Sequence, residues 1–346
     1  MNVDYIIVGL GLAGLAFAEN LIENNKTFIV FENHSQNASL VAGGVYNPVV
    51  LKRFTPVWNG HQQLAYALPF YQKIADNFNQ ELDTKFNTKK VLKSVEDENN
   101  WFSALDKPTL SNYMLPKISR DKIAGVISDI GFGELTGTGR IDTKKIISTY
   151  RAFLAGKDKI RFEKFKHHKI MFKEQQVVYQ DIITKKIVFC EGYGVKDNPF
   201  FNTLPLKEAK GELLTIYAPD LQINFLLKSA VFVLPIEKDI YKVGATFNWK
   251  DKTVAPTEDG KNELIEKLKK VLTVPYKIIE QTAGIRPTVK DRRPLVGVHL
   301  KHPQLAVLNG LGTRGVMIAP TVAKNLYNHL EKNEKLDLDI DIKRFG

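Results

Sequence analysis

Residues 9–14 read Gly-Leu-Gly-Leu-Ala-Gly, directly behind a β-branched and aromatic run at residues 3–9. Residues 12–24 follow, with Leu12, Leu15, Ala16, Ala18, Leu21 and Ile22 at helical spacing. Thr27 to Phe31 reads as a second strand, so strand, helix and strand fit within about 30 residues, the opening of a dinucleotide fold. Gly9 permits a tight turn off the strand, Gly11 lets backbone approach a pyrophosphate, and Gly14 lets helix and strand pack closely. The helix start turns unpaired N–H groups and a positive dipole end toward phosphates, assigning Leu12 and Ala13 to the same cradle. Glu32, 18 residues after Gly14 at a strand end, suits ribose hydroxyls, with Asn33 beside it. His34 follows, and no arginine is present for a ribose phosphate, which disfavours NADP. The motif does not separate NAD from FAD.

A chain of 346 residues suits two intimately joined domains. Its 44% hydrophobic residues supply a large core without a metal or disulfide staple. The single cysteine, Cys190, cannot form an internal disulfide, and a reducing, cytoplasmic setting is expected. Residues 5–18 have the greasiness of a signal peptide, but Asp4 precedes them, no basic region does, and glycines punctuate them. No uninterrupted run of about 18 apolar residues appears, so no spanning helix is expected. The net charge of +11 permits nucleic acid, anionic lipid or acidic small molecules as partners, or simply a solvated basic surface. Its densest stretch holds Lys157, Lys159, Arg161, Lys164, Lys166 and Lys169.

The loop at 33–48 is rich in glycine and asparagine. A helix is expected over 61–79, with a kink or break at Pro69. Another covers 141–155, with Asp142 to cap it. Residues 168–190 read as a meander, and 211–218 and 229–247 as alternating strands. An amphipathic helix covers 260–272 and a buried strand 304–309. The segment GLGTRG then leads into a helix from about Pro320 to Lys332, and the charged ending reads as a surface strand or tail.

Ala283-Gly284-Ile285-Arg286-Pro287, the later Asp291 and Pro294 to Gly297, and LNGLGTRGVMIAP at 308–320 resemble the D-amino-acid-oxidase-like family of FAD enzymes, which includes glycine oxidase and sarcosine oxidase. AGGVYNP at 42–48 resembles its flavin-facing loop, IVFCEGYG at 187–194 its strand-and-glycine segment, and KGELL at 210–214 and VGATF at 243–247 its substrate-domain strands. The resemblance spans nearly the whole chain and is weakest at about 85–135. GGVYNP ahead of Phe70, Tyr71 and Phe78, and Thr313-Arg314-Gly315 ahead of APTVAKNL, look most like the oxidase domain of the bifunctional enzyme that modifies the tRNA wobble uridine. The chain as read has no counterpart of that enzyme's methyltransferase domain.

The resemblance implies an α/β fold with an FAD-binding Rossmann-like domain at 1–85, 136–209 and 283–346, and a smaller mixed-sheet substrate domain at 86–135 and 210–282. It implies noncovalent FAD, because the covalent cysteine of sarcosine oxidase lies in the C-terminal motif region, where this chain has none. It implies hydride transfer to flavin from the carbon beside an amine, in an amino acid or secondary amine. The alternative is removal of a carboxymethyl group from a wobble-uridine amine, with tRNA as partner. A flavin-binding protein without turnover is a third reading. The flavin would be met by Ala42, Gly43, Gly44, Val45 and Gly192, and by Gly312, Thr313, Arg314, Gly315, Val316 and Met317. The N–H groups of residues 312–317 and the Arg314 side chain would stabilise the negative charge of the reduced ring.

Arg286 sits between apolar neighbours and needs an anionic partner. A substrate carboxylate, favoured by the resemblance, and an internal salt bridge, for instance to Asp291, both satisfy it. Tyr46 either walls the pocket or packs. His167 and His168 have no cysteine or carboxylate at metal spacing, so no metal is expected.

Overall fold

The computed structural model describes residues 1–35 and 37–346; position 36, in the expected 33–48 loop, lies outside them. Two eight-stranded sheets organise the chain. In the first, Ile160–Arg161, Phe28–Phe31, Asn2–Val8 and Ile182–Phe189 lie side by side and parallel. The sheet then divides. Leu305–Asn309 continues the parallel order beside residues 187–189, while Gln176–Tyr179 and Ile170–Lys173 run antiparallel beside residues 182–184. Parallel strands covered on both faces read as continuous apolar runs. Ile7, Val30, Val188 and Leu308 accordingly pack under the helices Leu12–Glu23 and Gly315–Lys332, while Ile6, Ile29, Ile187 and Val307 fill the opposite face.

Two prolines test the helices. Pro69 is expected to kink or break its helix, yet Gly60–Phe78 is continuous. Pro69 and Ala65 both face solvent, so the carbonyl that loses its N–H partner is open to water. Pro320 stands inside the last helix, which begins at Gly315, five residues before the expected start. The Val316 carbonyl left free by Pro320 accepts instead from Tyr71 Oη at 3.0 Å. The 143–155 helix is capped as expected, with Asp142 accepting from Lys145 N–H at 3.0 Å.

The second sheet is mixed and runs in the order Lys277–Val289, Leu206–Tyr217, Ile240–Gly244, Phe232–Glu237, Leu226–Lys228, Thr88–Leu92, Gly131–Leu135, Met114–Ser119. Leu264 and Leu268 of the helix Glu258–Leu268 pack on Leu214, Ile216 and Val243. Trp101 of the helix Val95–Leu105 packs with Leu92, Met114 and Leu135. Leu206–Tyr217 and Lys277–Val289 pair along their length and run through positions 209/210 and 282/283, where domain boundaries are expected. The charged ending is a 3-10 turn at Ile342–Phe345 rather than a strand, because Asp341 accepts from Lys343 N–H at 2.9 Å and turns the chain. No helix among the described residues is long and apolar enough to cross a membrane.

Candidate active site

A cavity of about 850 Å³ runs from the Gly9–Gly14 turn to Arg286 on the second sheet. At the first end Gly9 adopts φ +95°, and a Cβ there would lie 2.6 Å from the Cys190 carbonyl oxygen. A Cβ at Gly14 would strike the Gly9 carbonyl, so this glycine brings helix and strand together. Gly11 is different: the Ser39 hydroxyl, 3.2 Å from an added Cβ, is its nearest neighbour. Gly11 is also the N-cap of the 12–23 helix and has no side chain of its own to cap that end. Leu12 N–H donates to the Ser39 hydroxyl at 3.4 Å, while the Ala13 and Gly14 N–H groups find no partner among the described residues and are open to an anion, as a pyrophosphate requires.

Glu32 is buried at the strand end, with its Oε2 accepting from Leu10 N–H and its Oε1 from His34 N–H, both at 2.7 Å. Arg151 lies 3.4 Å away. Each carboxylate oxygen keeps acceptor capacity for a ligand hydroxyl. Glu32→Ala is expected to weaken FAD binding by about 1.5–3 kcal/mol for each charge-assisted bond lost, read from FAD retained after gel filtration. Unchanged retention would remove Glu32 from the ribose. Close by, His167 Nε2 meets Glu191 Oε1 at 2.8 Å, and Asn198 donates to Glu191 Oε2 at 2.7 Å. Asn309 ties the two glycine loops together by donating to the Gly192 carbonyl at 2.8 Å. Burial pushes the Cys190 thiol up, which keeps it in the unreactive protonated form.

The C-terminal loop is more selective than expected. The N–H groups of Gly312, Arg314 and Met317 are occupied by the carbonyls of Pro287, Leu311 and Arg314. Those of Thr313, Gly315 and Val316 find no partner among the described residues. Arg314 is the N-cap of the last helix and lines the cavity without a carboxylate partner among the described residues. Burial and nearby Arg292 lower its pKa.

At the other end stands Arg286. Asp291 pairs instead with Arg344, Nε to Oδ2 at 3.0 Å, and Arg286 makes no ion pair among the described residues. Its guanidinium reaches the Thr246 carbonyl at 3.4 Å and stacks 4.3 Å from the Phe247 ring centroid. A Cβ at Gly211 would fall on the guanidinium, so that glycine makes its seat. Burial lowers the pKa to about 10, far enough above neutrality to leave the charge in place. A partly buried, charged and unpaired guanidinium facing a cavity is arranged for an external anion.

Of the residues expected at the cofactor, Gly9, Gly11, Leu12, Ala13, Glu32, Asn33, Ala42, Gly43, Gly44, Val45, Gly192, Gly312, Thr313, Arg314, Gly315 and Val316 all border this cavity. Three expected site residues stand away from it. Gly14 packs against Gly9. Met317 is core, on the inner face of its helix. Tyr46 is 1% exposed and donates to Asp83 Oδ1 at 2.8 Å, so the packing role is the one it takes. The sequence reading missed Gly211, Leu213, Lys228, Phe232 and Phe247, which wall the Arg286 end. Strand alternation could have grouped them on one face, but nothing in it says which face meets a ligand.

The basic stretch divides in the structure. Arg161 is held by Asp181 at 2.7 Å and Lys159 lies over Phe28, whereas Lys157, Lys164, Lys166 and Lys169 are exposed and make no ion pair among the described residues. It borders the Glu32 end of the cavity, where Glu32 N–H donates to the Arg161 carbonyl. At the Arg286 end, Phe247 and Trp249 are 52% and 53% exposed, with ring centroids 6.1 Å apart.

Known proteins resemble this chain at low identity. The tRNA 5-methylaminomethyl-2-thiouridine biosynthesis bifunctional protein MnmC of Marinobacter nauticus is 20% identical over 94% of this chain and 55% of its own length. Glycine oxidase of Bacillus subtilis is 24% identical over 60% of each chain. The chain thus spans a little over half the length of these curated relatives. Among solved structures, glycine oxidase from Geobacillus kaustophilus has TM-score 0.79 and iminodiacetate oxidase from Chelativorans sp. BNC1 has 0.77, each at 16% identity and 97% coverage of both chains, a likeness of fold. The family model described as DAO, FAD dependent oxidoreductase, matches residues 4–328. With that match over nearly its whole length, the chain is a member of the DAO family of FAD-dependent oxidoreductases, and FAD is its cofactor.

Proposed function

We propose that the protein oxidises the C–N bond of an amine that carries a carboxylate on the adjoining carbon. The observation that carries this reading is Arg286, a cavity-facing guanidinium with no carboxylate partner among the described residues. Bound FAD supplies the hydride acceptor. Arg286 holds the carboxylate in its planar fork and so fixes the neighbouring C–H bond in one orientation. Leu213, Leu226, Ala230 and Phe232 make an apolar wall that excludes water. A desolvated ammonium is disfavoured there, which delivers the amine neutral. The nitrogen lone pair then forms C=N as the α hydrogen leaves with its bonding electrons, and water hydrolyses the imine to a carbonyl compound and the released amine. The free N–H groups of Thr313, Gly315 and Val316, with Arg314, favour negative charge in the same space. The expected result is anaerobic bleaching of the bound flavin by glycine-type or N-carboxymethyl amines, and none by the same amines lacking the carboxylate. Equal bleaching by both would remove the reading.

A second reading has tRNA as substrate, and it is supported by the exposed Phe247–Trp249 pair beside Arg286 and by the relatives named for tRNA biosynthesis. Unstacked bases lie on aromatic side chains, so a wobble uridine resting there would offer its carboxymethylamine to Arg286. The test is bleaching by tRNA bearing carboxymethylaminomethyl uridine. Phe247→Ala with Trp249→Ala is expected to weaken it roughly tenfold or more, from about 1–3 kcal/mol of stacking per base. If phosphate contacts at Lys157, Lys164, Lys166 and Lys169 add to this, gel shifts fall steeply with salt. No shift at low salt, with no bleaching, would leave the basic stretch a solvated surface.

A further inference from the structure

The face of the second sheet turned to the cavity carries a second cation that the reading above does not use. Leu213, Gly244, Phe232 and Lys228 are successive register partners on neighbouring strands, so their side chains share one face. That face is the cavity wall: Leu213, Phe232 and Lys228 all line it. Lys228 makes no hydrogen bond or ion pair among the described residues, and its Nζ lies 5.8 Å from the Phe232 ring centroid. Lys90, its register partner on the far side, spends its own ammonium on the Val91 carbonyl at 2.7 Å.

The Arg286 guanidinium sits over Gly211, two residues along the strand from Leu213. Lys228 stands three strands across, next to Phe232, whose ring centroid is 5.8 Å from its ammonium. With strands about 4.8 Å apart and about 6.7 Å per two residues, Gly211 and Lys228 are roughly 16 Å apart at the backbone, and the lean of the lysine toward Phe232 puts the two charges roughly 10–16 Å apart across one wall. Between them, in register, stand Leu213, Gly244 and Phe232, with no carboxylate among these described residues. Two unpaired cations separated by an apolar strip fit a ligand of matching form: an acid, an uncharged middle, and a second acid.

We infer that Lys228 binds a second anionic group of the substrate, so that the preferred substrate is an amino carboxylate whose nitrogen substituent or side chain ends in a carboxylate or a phosphate roughly 10–16 Å from the first carboxylate. This rests on Arg286 holding that first carboxylate. Lys228 supplies a compact point charge, which accepts either kind of anion, unlike the planar fork of Arg286. Burial, together with the like charges of Lys90 and Lys267, lowers its pKa to about 8. No carboxylate acts on it among the described residues. The ammonium is charged below that pH and the preference for an anionic tail is present there; it fades as pH rises through about 8.

The experiment uses the FAD-loaded protein and a matched set of N-carboxymethyl amines whose tails, of one length, end in carboxylate, phosphate or an uncharged amide. Binding is read from the flavin absorbance shift and turnover from anaerobic bleaching. Wild type is expected to bind the two anionic tails about ten- to a hundredfold more tightly than the amide, the worth of one charge-assisted contact. Whichever anion binds more tightly names the source. Lys228→Met should cost the anionic tails ten- to a hundredfold more than it costs the amide, and Lys228→Arg should restore most of the difference. Equal losses for all three tails would make Lys228 a residue of the pocket's general field and overturn the inference. Equal binding of all tails by wild type would do the same. Failure of every carboxylate-bearing amine, with binding instead of amines lacking it, would overturn the Arg286 reading itself.

Discussion

Arg286→Ala is expected to lower the efficiency of flavin reduction by tens- to thousands-fold while leaving FAD content near normal. Removing one partner of a buried, hydrogen-bonded charge pair costs about 2–5 kcal/mol, and about 1.4 kcal/mol is one decade. FAD content is expected to be spared because Gly11 and Glu32, the residues proposed for its phosphates and ribose, lie at the other end of the cavity. In the free protein the arginine has no carboxylate among the described residues to abandon, so the loss falls on substrate capture rather than on stability. Arg286→Lys should recover only part of the rate, since a point charge cannot reproduce the fork. Gly211→Ala provides a control that leaves Arg286 in the sequence but denies the guanidinium its seat. It should raise KM more than it lowers the FAD content. A mutant that loses flavin or melts early, yet reduces at the normal rate once reloaded, would make Arg286 a structural residue.

The glycine-rich end of the cavity was legible because its physics is local. Gly9, Gly11, Gly14 and Glu32 lie within one strand-helix-strand unit, and a short stretch of chain fixes where each points. The long buried strands and the capped 143–155 helix were legible for the same reason. Residues 85–135 were not, because their elements are short and bury little: the 95–105 helix buries only Trp101 and Ala104, and the 88–92 strand carries Lys89 and Lys90. The substrate end was hidden differently. Gly211, Lys228 and Phe232 come together only when strands far apart in sequence are placed in register, and register is a tertiary fact. Tyr46 shows the limit of resemblance: its loop borders the cavity through Gly44 and Val45, but alternation turns the tyrosine to Asp83. Arg286 is intermediate. Its need for an anion was legible, whereas the choice between Asp291 and a ligand depended on Arg344, which is 53 positions from Asp291.

Lys210→Met is expected to destabilise the protein by about 3–5 kcal/mol, the cost of breaking a buried ion pair by removing one partner. Lys210 is fully buried, and its ammonium donates to Asp251 Oδ2 and the Ala255 carbonyl, both at 2.5 Å, and to Thr253 Oγ1 at 3.3 Å. Glu212, also buried, lies 3.6 Å away and accepts from Thr257 and Gln281. These bonds fold the 248–257 segment back on the strand Leu206–Tyr217, and that segment continues directly from Phe247, the ring against Arg286. One charge thus serves stability and site geometry together. The Lys210 hydrogen bond holds Asp251 at about 2, below its ordinary value of 3.8, so this contribution is present above pH 4 and is lost as pH falls through about 2. In the methionine variant the segment should loosen, with two measurable results: faster tryptic cleavage after Lys250 or Lys252, and a higher KM at nearly constant kcat. Replacing Lys210, Glu212 and Asp251 together by apolar residues of similar volume should cost less than Lys210→Met alone, because no buried charge is then left unpaired. If Lys210→Met lowers Tm without changing either the cleavage rate or KM, the cluster only fills the core and does not position Phe247.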